Sequence, residues 1–281
     1  MQLIKTARIL TNYLSNLREQ DKNVTIGFVP TMGALHEGHL SLIEQSTINN
    51  DITVCSIFVN PTQFGEKKDL ETYPKPIEND IELLVKNNCD ILFLPDYEEV
   101  FPAEYKQQVF ELDGLDFKIE GASRPGHFQG VCNVLYRFFE IIAPNNAYFG
   151  QKDFQQTVVV KKLVELVPFD IDIVVVPIMR EPHRLAMSSR NVRLSKQGRQ
   201  NAAFINKALR NLKENVDSMS VDAAIEKAKQ FINAQKGASI DYLMVVDVNT
   251  LEQVEDMSKP SVALTVVEYE GVRLLDNIIL N

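Results

Sequence analysis

The chain has 281 residues, of which 45% are hydrophobic and 24% are charged. These values are typical of globular proteins, and they exclude a disordered, collagen-like or low-complexity chain. Acidic residues outnumber basic ones by 38 to 29, which gives a formal net charge of −9. A chain this acidic lacks the overall positive field that non-specific nucleic-acid binding requires, so an anionic ligand must bind at a local cluster of basic groups.

The apolar segments and the cysteines predict a cytoplasmic protein without a membrane span. The N-terminal segment is charged throughout and has no apolar core followed by small residues, so we expect no signal peptide. Apolar runs such as residues 171–179 are far shorter than the ~20 residues that span a bilayer. Cys55, Cys89 and Cys132 are odd in number and scattered, which favours buried thiols in a reducing compartment over a disulfide framework.

Strand and helix patterns alternate from residue 24 to residue 178. The runs at 24–30 and 51–60 are rich in β-branched and aromatic residues, and residues 36–50 between them show helical spacing. This order predicts a βαβ unit with a parallel strand pair. The pattern continues with helices at 77–89, 131–144 and 153–167, and with strands at 90–95, 147–150 and 171–178. Strands that are apolar on both faces predict an α/β fold with a doubly wound parallel sheet.

The character of the chain changes near residue 180, where we place a domain boundary. A polar, irregular segment ends at Ser195, which is suited to cap a helix over 197–212. A second helix is predicted over 221–235. Three strands follow, at 240–247, 261–270 and 272–280. Residues 181–281 are therefore expected to form a smaller α+β domain.

The densest chemical motif is PTMGALHEGHL at residues 30–40. It lies where a predicted strand ends and a helix begins, which is the edge at which open α/β sheets bind ligands. His36 and His39 are three residues apart, so they share one face of the first helical turn. Free amides at a helix start favour an anion, and two imidazoles there suit a phosphate chain.

Other interpretations of the two histidines remain open. They are compatible with surface or capping roles, or with a zinc site. Zinc requires a third ligand, and the other histidines are His127 and His183. The phosphate-binding sequence GxxxxGK[ST] is absent, so this is not a Walker A loop.

A second cluster, AYFGQKDFQQ, lies at 147–156 on another strand-to-helix turn. Gly150 permits close approach of a ligand to the backbone, and Lys152 offers a positive charge to a phosphate. Asp153 can accept hydrogen bonds from ribose hydroxyls, while Gln156 can bind a polar substrate. The alternative is that Lys152 and Asp153 form an ordinary solvated ion pair.

Three further segments carry polar groups. MSSRN at 187–191 includes a guanidinium at Arg190 that can clamp a triphosphate, or it is a linker with capping serines. FVNPTQFG at 58–65 offers uncharged donors at Asn60 and Gln63. The glycine-rich segment 120–131 has Arg124 and His127, which can bind a carboxylate or simply turn the chain.

These motifs, together with the terminal RLLDNIIL, resemble in order and spacing the pantoate–β-alanine ligase (pantothenate synthetase) family. That family belongs to the nucleotidyltransferase superfamily, whose HxGH signature reads HEGH here. The resemblance implies a Rossmann-like domain at 1–180 that binds ATP and pantoate. It also implies a smaller C-terminal lid domain at 181–281 and a homodimer.

The resemblance implies a reaction with two half-reactions. The carboxylate of pantoate attacks the α-phosphorus of ATP, which gives enzyme-bound pantoyl adenylate and pyrophosphate. The amine of β-alanine then attacks the acyl carbon and releases pantothenate and AMP. Mg²⁺ is expected to accompany ATP, and no tightly bound organic cofactor is expected.

Residue roles follow from the matching motifs. The resemblance implies that Gln63 and Gln156 bind pantoate and that Gln63 also binds β-alanine. Asp80 stands in the helix where the family often has adjacent aspartates tied to the metal, so it is the expected Mg²⁺ ligand. The catalytic residues implied are His36, His39, Lys152 and Arg190. The ATP-binding residues implied are Met32, Gly33, Ala34, Leu35, His36, Glu37, Gly38, His39, Gly150, Gln151, Lys152, Asp153, Met179, Met187, Ser188, Ser189 and Arg190.

The sequence departs from the family pattern in three places. The family commonly reads READGLAMSSRN, whereas this chain has Pro182, His183 and Arg184 in the turn. We expect no catalytic part for His183. Asn79 stands beside Asp80 in place of a second aspartate, and Arg193 stands where an aromatic residue is common.

Two other functions fit parts of the sequence. One is a nucleotidylyltransferase that uses the HxGH site on another small substrate. The other is a binding protein that keeps the fold without catalysis. The presence of both Gln63 and Gln156 favours the ligase over the first alternative.

Overall fold

The protein packs into two compact units in a computed structural model that describes residues 1–64 and 70–281. The first unit comprises Met1–Gly150 and Val159–Val176, and the second comprises Gln151–Val158 and Pro177–Asn281. The division predicted from the sequence placed residues 151–158 and 177–180 in the first domain, whereas their contacts group both segments with the second unit.

A parallel sheet forms the centre of the first unit. Within the described residues it has six strands in the order β1–β4–β3–β2–β5–β6, and every neighbouring pair is parallel. The strands are β1 (Gln2–Ile4), β2 (Ile26–Thr31), β3 (Ile52–Ile57), β4 (Ile91–Phe93), β5 (Asn146–Gly150) and β6 (Asp172–Val176). The predicted doubly wound parallel sheet is confirmed.

Seven helices accompany these strands among the described residues. They are α1 (Ala7–Gln20), α2 (Glu37–Asn49), α3 (Ile77–Lys86), α4 (Tyr97–Val100), α5 (Glu120–Ser123), α6 (His127–Ile142) and α7 (Phe154–Leu166). Helix α1 packs against α6, and α2 packs against α3. Neither β1 nor α1 was predicted from the sequence.

Close packing holds α2 against β2. A Cβ added at Gly27 in β2 would lie 2.2 Å from Oγ of Ser46 in α2, so the helix rests directly on the strand backbone. Val29 and Ile43 are fully buried in the core between these two elements. The helix that carries His39 is therefore held by rigid neighbours.

The second unit contains an antiparallel sheet and three helices in the described chain. The sheet has the order β7–β8–β9, with β7 at Ala238–Asp247, β8 at Ser261–Tyr269 and β9 at Val272–Ile279. The helices are α8 (Lys196–Asn201), α9 (Phe204–Asn215) and α10 (Val221–Asn233). The predicted small α+β unit is confirmed.

One predicted helix, 197–212, is divided into α8 and α9. The N–H groups of Ala203 and Ile205 donate to carbonyls three residues back, which tightens the backbone at the junction. Ser195 caps α8 as predicted, because its hydroxyl accepts the N–H of Gly198 at 2.8 Å.

The described chain, residues 1–64 and 70–281, holds no helix that is both long and apolar enough to cross a membrane. The three cysteines are free and buried, as predicted. Burial raises the pKa of Cys89 to about 12 and that of Cys132 to about 12.

Candidate active site

The order of the strands places a crevice beside β2. Strand β2 pairs with β3 on one side and with β5 on the other, so the chain reverses its direction of winding between β2 and β5. Ligands of open parallel sheets bind outside the carboxyl ends of the strands at such a switch point. The motif at residues 30–40 leaves the sheet at the end of β2, as the sequence predicts.

The loop after β2 makes a tight turn that Asp80 holds in place. Gly33 and Ala34 have φ values of 80° and 51°, in the left-handed region that costs energy for a residue with a Cβ. The N–H groups of Ala34 and Leu35 donate to the two carboxylate oxygens of Asp80, each at 2.8 Å. A carboxylate from α3 thus fixes the backbone that leads to His36.

The surroundings of Asp80 bear on its expected role as a Mg²⁺ ligand. Its side chain is fully buried, and both oxygens already accept backbone amides. Burial raises the pKa of Asp80, and the two amide hydrogen bonds oppose this rise. The contacts are those of a residue that holds the loop, and no spacing in the sequence reveals them because the amides are over 40 residues away.

His36 and His39 form a stacked pair at the start of α2. The Nδ1 atom of His36 accepts the N–H of Gly38 at 3.1 Å, so His36 caps the helix. The two ring centroids are 4.1 Å apart and the rings are inclined by 34°. Since Nδ1 of His36 accepts a hydrogen bond, a neutral ring carries its proton on Nε2. The pair therefore combines imidazole groups with the positive end of a helix, which favours a phosphate.

The zinc interpretation of the histidines gains no support. Within the two described ranges of the chain, histidine, cysteine, aspartate and glutamate side chains form no group of three or more that could hold a metal ion. His127 and His183 have other partners: His127 lies against Arg124 and Gln63, and His183 lies 3.4 Å from a carboxylate oxygen of Glu181.

Gln63 is held against the loop after β2. It follows β3 in a short turn, Pro61–Gln63, and its Nε2 lies 3.0 Å from Sδ of Met32. Its Oε1 accepts a hydrogen bond from Nδ2 of Asn60 at 3.2 Å. Asn60 and Gln63 therefore lie together after β3, where the sequence predicts them, and the contact of Gln63 with Met32 is an addition that the fold reveals. The last residue of this motif, Gly65, lies outside the described residues.

Residues of the segment 120–131 hydrogen-bond to the backbone carbonyl of Gln63. Nδ1 of His127 is 2.7 Å from the carbonyl oxygen of Gln63, and this contact requires the proton on Nδ1. Nε2 of the same ring then accepts from Nη1 of Arg124 at 3.2 Å. Nη2 of Arg124 also donates to the Gln63 carbonyl, at 3.3 Å. Arg124 and His127 thus position the backbone of Gln63, a role that the sequence alone does not distinguish from a simple turn.

In the second unit, the turn Gln151–Asp153 is fixed by β9. Asn277 donates from Nδ2 to the carbonyls of Gln151 and Lys152, at 2.9 and 3.0 Å. Nε2 of Gln151 donates in return to Oδ1 of Asn277 at 3.0 Å. Nζ of Lys152 lies 2.7 Å from a carboxylate oxygen of Asp153, so these two form the ion pair named above as the alternative to nucleotide contacts. Gln156 is partly buried in the same unit.

The segment from Met179 to Arg190 is a second ordered part of this unit. The N–H of Met187 donates to the carbonyl of Met179 at 3.0 Å, so the two methionines are neighbours. Ser188 begins the turn Ser189–Arg193, and its hydroxyl accepts the N–H of Arg190 at 3.2 Å. The capping role predicted as an alternative for a serine here is present.

A buried ion pair, missed in the sequence, ties this segment to β9. Arg180 donates from both terminal nitrogens to Asp276, at 2.7 and 2.8 Å. Burial raises the pKa of Asp276, and the hydrogen bonds from Arg180 oppose the rise. The pairing joins residues 96 positions apart, so only the fold reveals it.

A parallel sheet with a switch point, and a helix at that point that begins with HEGH, define an α/β nucleotide-binding enzyme. The comparisons with known proteins name the family. The family profile described as Pantoate-beta-alanine ligase matches residues 2–279. The chain belongs to the pantoate–β-alanine ligase family.

Named relatives cover nearly the whole chain. Pantothenate synthetase from Cytophaga hutchinsonii is 45% identical over 93% of this chain and 94% of its own length. That from Thermotoga petrophila is 43% identical over 100% of both.

Solved structures show the same architecture. Pantothenate synthetase from Thermus thermophilus has a TM-score of 0.92 at 37% identity, covering 100% of this chain and 99% of that one. The pantoate–β-alanine ligase from Francisella tularensis, solved as a complex with β-γ ATP and β-alanine, has a TM-score of 0.81 at 32% identity. That match covers 100% of this chain and 98% of the other.

Proposed function

We propose that the chain catalyses the ATP-dependent condensation of pantoate with β-alanine to pantothenate, AMP and pyrophosphate. The pantoate carboxylate attacks the α-phosphorus of ATP and expels pyrophosphate. The β-alanine amine then attacks the acyl carbon of pantoyl adenylate and expels AMP. The observation that carries the proposal is the HEGH helix start at the switch point, in a chain that matches the ligase family over residues 2–279.

The first step is governed by charge. A carboxylate that approaches a triphosphate is repelled by like charge, so catalysis depends on cations and donors placed around the α-phosphate. We assign this work to His36, His39, Lys152 and Arg190, with His39 as the proton donor. Mg²⁺ bound to the phosphates of ATP would supply further charge neutralisation. The remaining nucleotide contacts are assigned to the motif residues that the family resemblance implies.

Substrate selection is assigned to uncharged groups. Gln63 and Gln156 can hydrogen-bond the hydroxyls of pantoate without repelling its carboxylate, and Gln63 is also assigned to β-alanine. For Gln63 the geometry supports this role, because Asn60, Arg124 and His127 hold its side chain and backbone on one side. A substrate that binds a side chain fixed in this way is itself oriented for reaction. Such orientation can lower a reaction barrier by on the order of 7–11 kcal/mol.

Assembly and compartment are further parts of the proposal. We assign the chain to a homodimer on the basis of the family resemblance. The three buried free thiols favour a reducing compartment, and we assign the protein to the cytoplasm.

The experiment that tests the function is exchange of labelled pyrophosphate into ATP. With pantoate present and β-alanine absent, exchange should occur, because adenylation is reversible before the amine attacks. Exchange that requires a phosphorylated alcohol in place of pantoate would support the nucleotidylyltransferase alternative and overturn the ligase. ATP binding without exchange under any condition would support the non-catalytic alternative.

Single substitutions test which residues carry out the adenylation step. His39→Ala and Lys152→Ala should each lower the exchange rate about 10²–10³-fold, the usual effect of removing one donor to a developing charge. His183→Ala and Lys161→Ala are matched controls that should exchange at the wild-type rate. Equal rates for His39→Ala and His183→Ala would remove the histidine assignment.

A further inference from the structure

A cavity of about 410 Å³ in the second unit lies beside the segment around Arg180 and is rich in arginine. Three guanidinium groups line it, those of Arg180, Arg184 and Arg210. We call it the arginine cavity. Its volume falls within the range of about 300–1,000 Å³ that is typical of small-molecule sites. Among the residues proposed to bind ATP, only Gln151 also lines it.

The three arginines differ in how far their charges are balanced. Arg180 is neutralised by Asp276, which accepts two hydrogen bonds from it. Arg210 lies 3.9 Å from Glu214, but both side chains are mostly exposed, and such pairs are weak in water. The guanidinium of Arg184 has no ion pair and no hydrogen bond to any residue in ranges 1–64 and 70–281. The cavity therefore presents two positive charges that can serve a ligand.

The backbone at Arg184 is strained. Its φ is 81°, a conformation that costs a non-glycine residue on the order of 1–3 kcal/mol. The carbonyl of Arg184 accepts a hydrogen bond from Nη1 of Arg180 at 3.1 Å, which helps to hold the turn. A strained turn that presents an arginine to a cavity is consistent with a binding function for that side chain.

Asn206 gives a second, independent indication. It is 5% exposed and lines the arginine cavity from α9. Its carboxamide has no hydrogen bond to any residue that the structure describes. Its carboxamide groups therefore stay available to the cavity, where a ligand can accept from the amide nitrogen or donate to the amide oxygen.

The lining includes a small apolar wall formed by Ile178 and Ile278. Gln151 and Asn277 add uncharged polar groups beside it. A ligand with an anionic end and a non-polar part fits this combination. A phosphate monoester carries up to two negative charges near neutral pH, which matches the charges of Arg184 and Arg210.

We propose that the arginine cavity is a second ligand site that binds a phosphate monoester with an apolar body. Arg184 and Arg210 bind the phosphate oxygens, and the side chain of Asn206 donates to the same group. Ile178 and Ile278 contact the organic part. The site is separate from the condensation reaction, and its occupancy does not depend on the proposed function.

Calorimetric titration of the full-length protein with phenyl phosphate tests the proposal. We expect saturable binding, with inorganic phosphate at least tenfold weaker because it makes no contact with the isoleucines. Benzoate, which carries a single charge, should also bind at least tenfold more weakly. Equal affinity for phosphate and phenyl phosphate would remove the role of the apolar wall, and absence of saturable binding would overturn the proposal.

Variants separate the cavity from the proposed nucleotide site. Arg184→Gly removes the guanidinium and suits the left-handed backbone, so it should fold well and weaken phenyl phosphate binding at least tenfold. Arg210→Gln should weaken it as well. Lys236→Gln removes one exposed positive charge from the same unit and should leave binding unchanged. If Lys152→Ala abolishes binding and Arg184→Gly does not, the ester occupies the nucleotide site and the proposal is wrong.

Discussion

The contact between Gly130 and the turn that carries Gln63 makes the proposed pantoate site sensitive to a single methyl group. Gly130 lies in α6, where a Cβ would be 2.4 Å from the carbonyl oxygen of Thr62 and 3.0 Å from the backbone nitrogen of Gln63. The carbonyl of Gly130 also accepts a hydrogen bond from Nδ2 of Asn60 at 3.2 Å. Gly130→Ala would therefore push on the backbone of the turn itself.

The size of the effect follows from these distances. Cβ atoms essentially never lie closer than 3.0 Å to such atoms, so Thr62 must move by at least 3.0 − 2.4 = 0.6 Å. Overpacking of this kind costs about 1–3 kcal/mol in stability. A misplacement of about 1 Å in a substrate-positioning group can lower a rate about 10²-fold. We expect Gly130→Ala to lower pantoate-dependent exchange by about 10- to 100-fold.

Steady-state exchange at varied pantoate concentration measures this change. Gly114→Ala is the matched control, because Gly114 has a φ of 76° and no atom within 4 Å of the added Cβ. The control loses a similar amount of stability without touching Gln63, so its exchange rate should stay within twofold of wild type. A folded Gly130→Ala protein that exchanges as fast as the control would refute the inference that this packing positions Gln63.

Four further predictions concern buried polar groups and thiols. Asp80→Asn can accept only one of the two loop amides, so it should lower the exchange rate at least tenfold; an unchanged rate would show that the loop holds itself. Asp276→Ala leaves Arg180 without its partner and should lower the free energy of unfolding in urea by about 3–5 kcal/mol. The double variant with Asp276→Leu and Arg180→Met should recover most of this loss. A loss below 1 kcal/mol would contradict the account of the pair. The three cysteines should resist iodoacetamide at pH 8 in the folded protein and react in denaturant, since burial raises their pKa values and keeps them protonated. Because the unfolded thiols ionise near pH 9, whereas burial raises the pKa of Cys89 and of Cys132 to about 12, the free energy of unfolding should fall as the pH rises above about 9.

Periodicity and strand order predicted the central architecture. The buried strands β2 and β3 and the helix between them are long, regular segments, and their order requires a parallel pair. Strand β1 has only three residues, which is too short for a pattern, and it was missed. Helix α1 buries Leu10 and Leu14, which are four residues apart, and this spacing is a helical signal in the sequence.

The site was predicted only where it depends on local sequence. His36 and His39 lie close together because the capping residue of a helix adjoins its third helical residue, a neighbourhood that the three-residue spacing indicates. The supports of the site are contacts between distant segments, such as Asp80 on the loop amides and His127 on the carbonyl of Gln63. Such contacts leave no spacing in the sequence, because they depend on how the elements pack.

A single set of incubations tests the central claim most directly. The protein is incubated with ATP, Mg²⁺, pantoate and β-alanine, each component is omitted in turn, and AMP and pantothenate are measured. The account predicts equal amounts of AMP and pantothenate from the complete mixture, and no pantothenate when any one component is missing. Formation of AMP without pantothenate in the complete mixture, or no reaction at all, would contradict it.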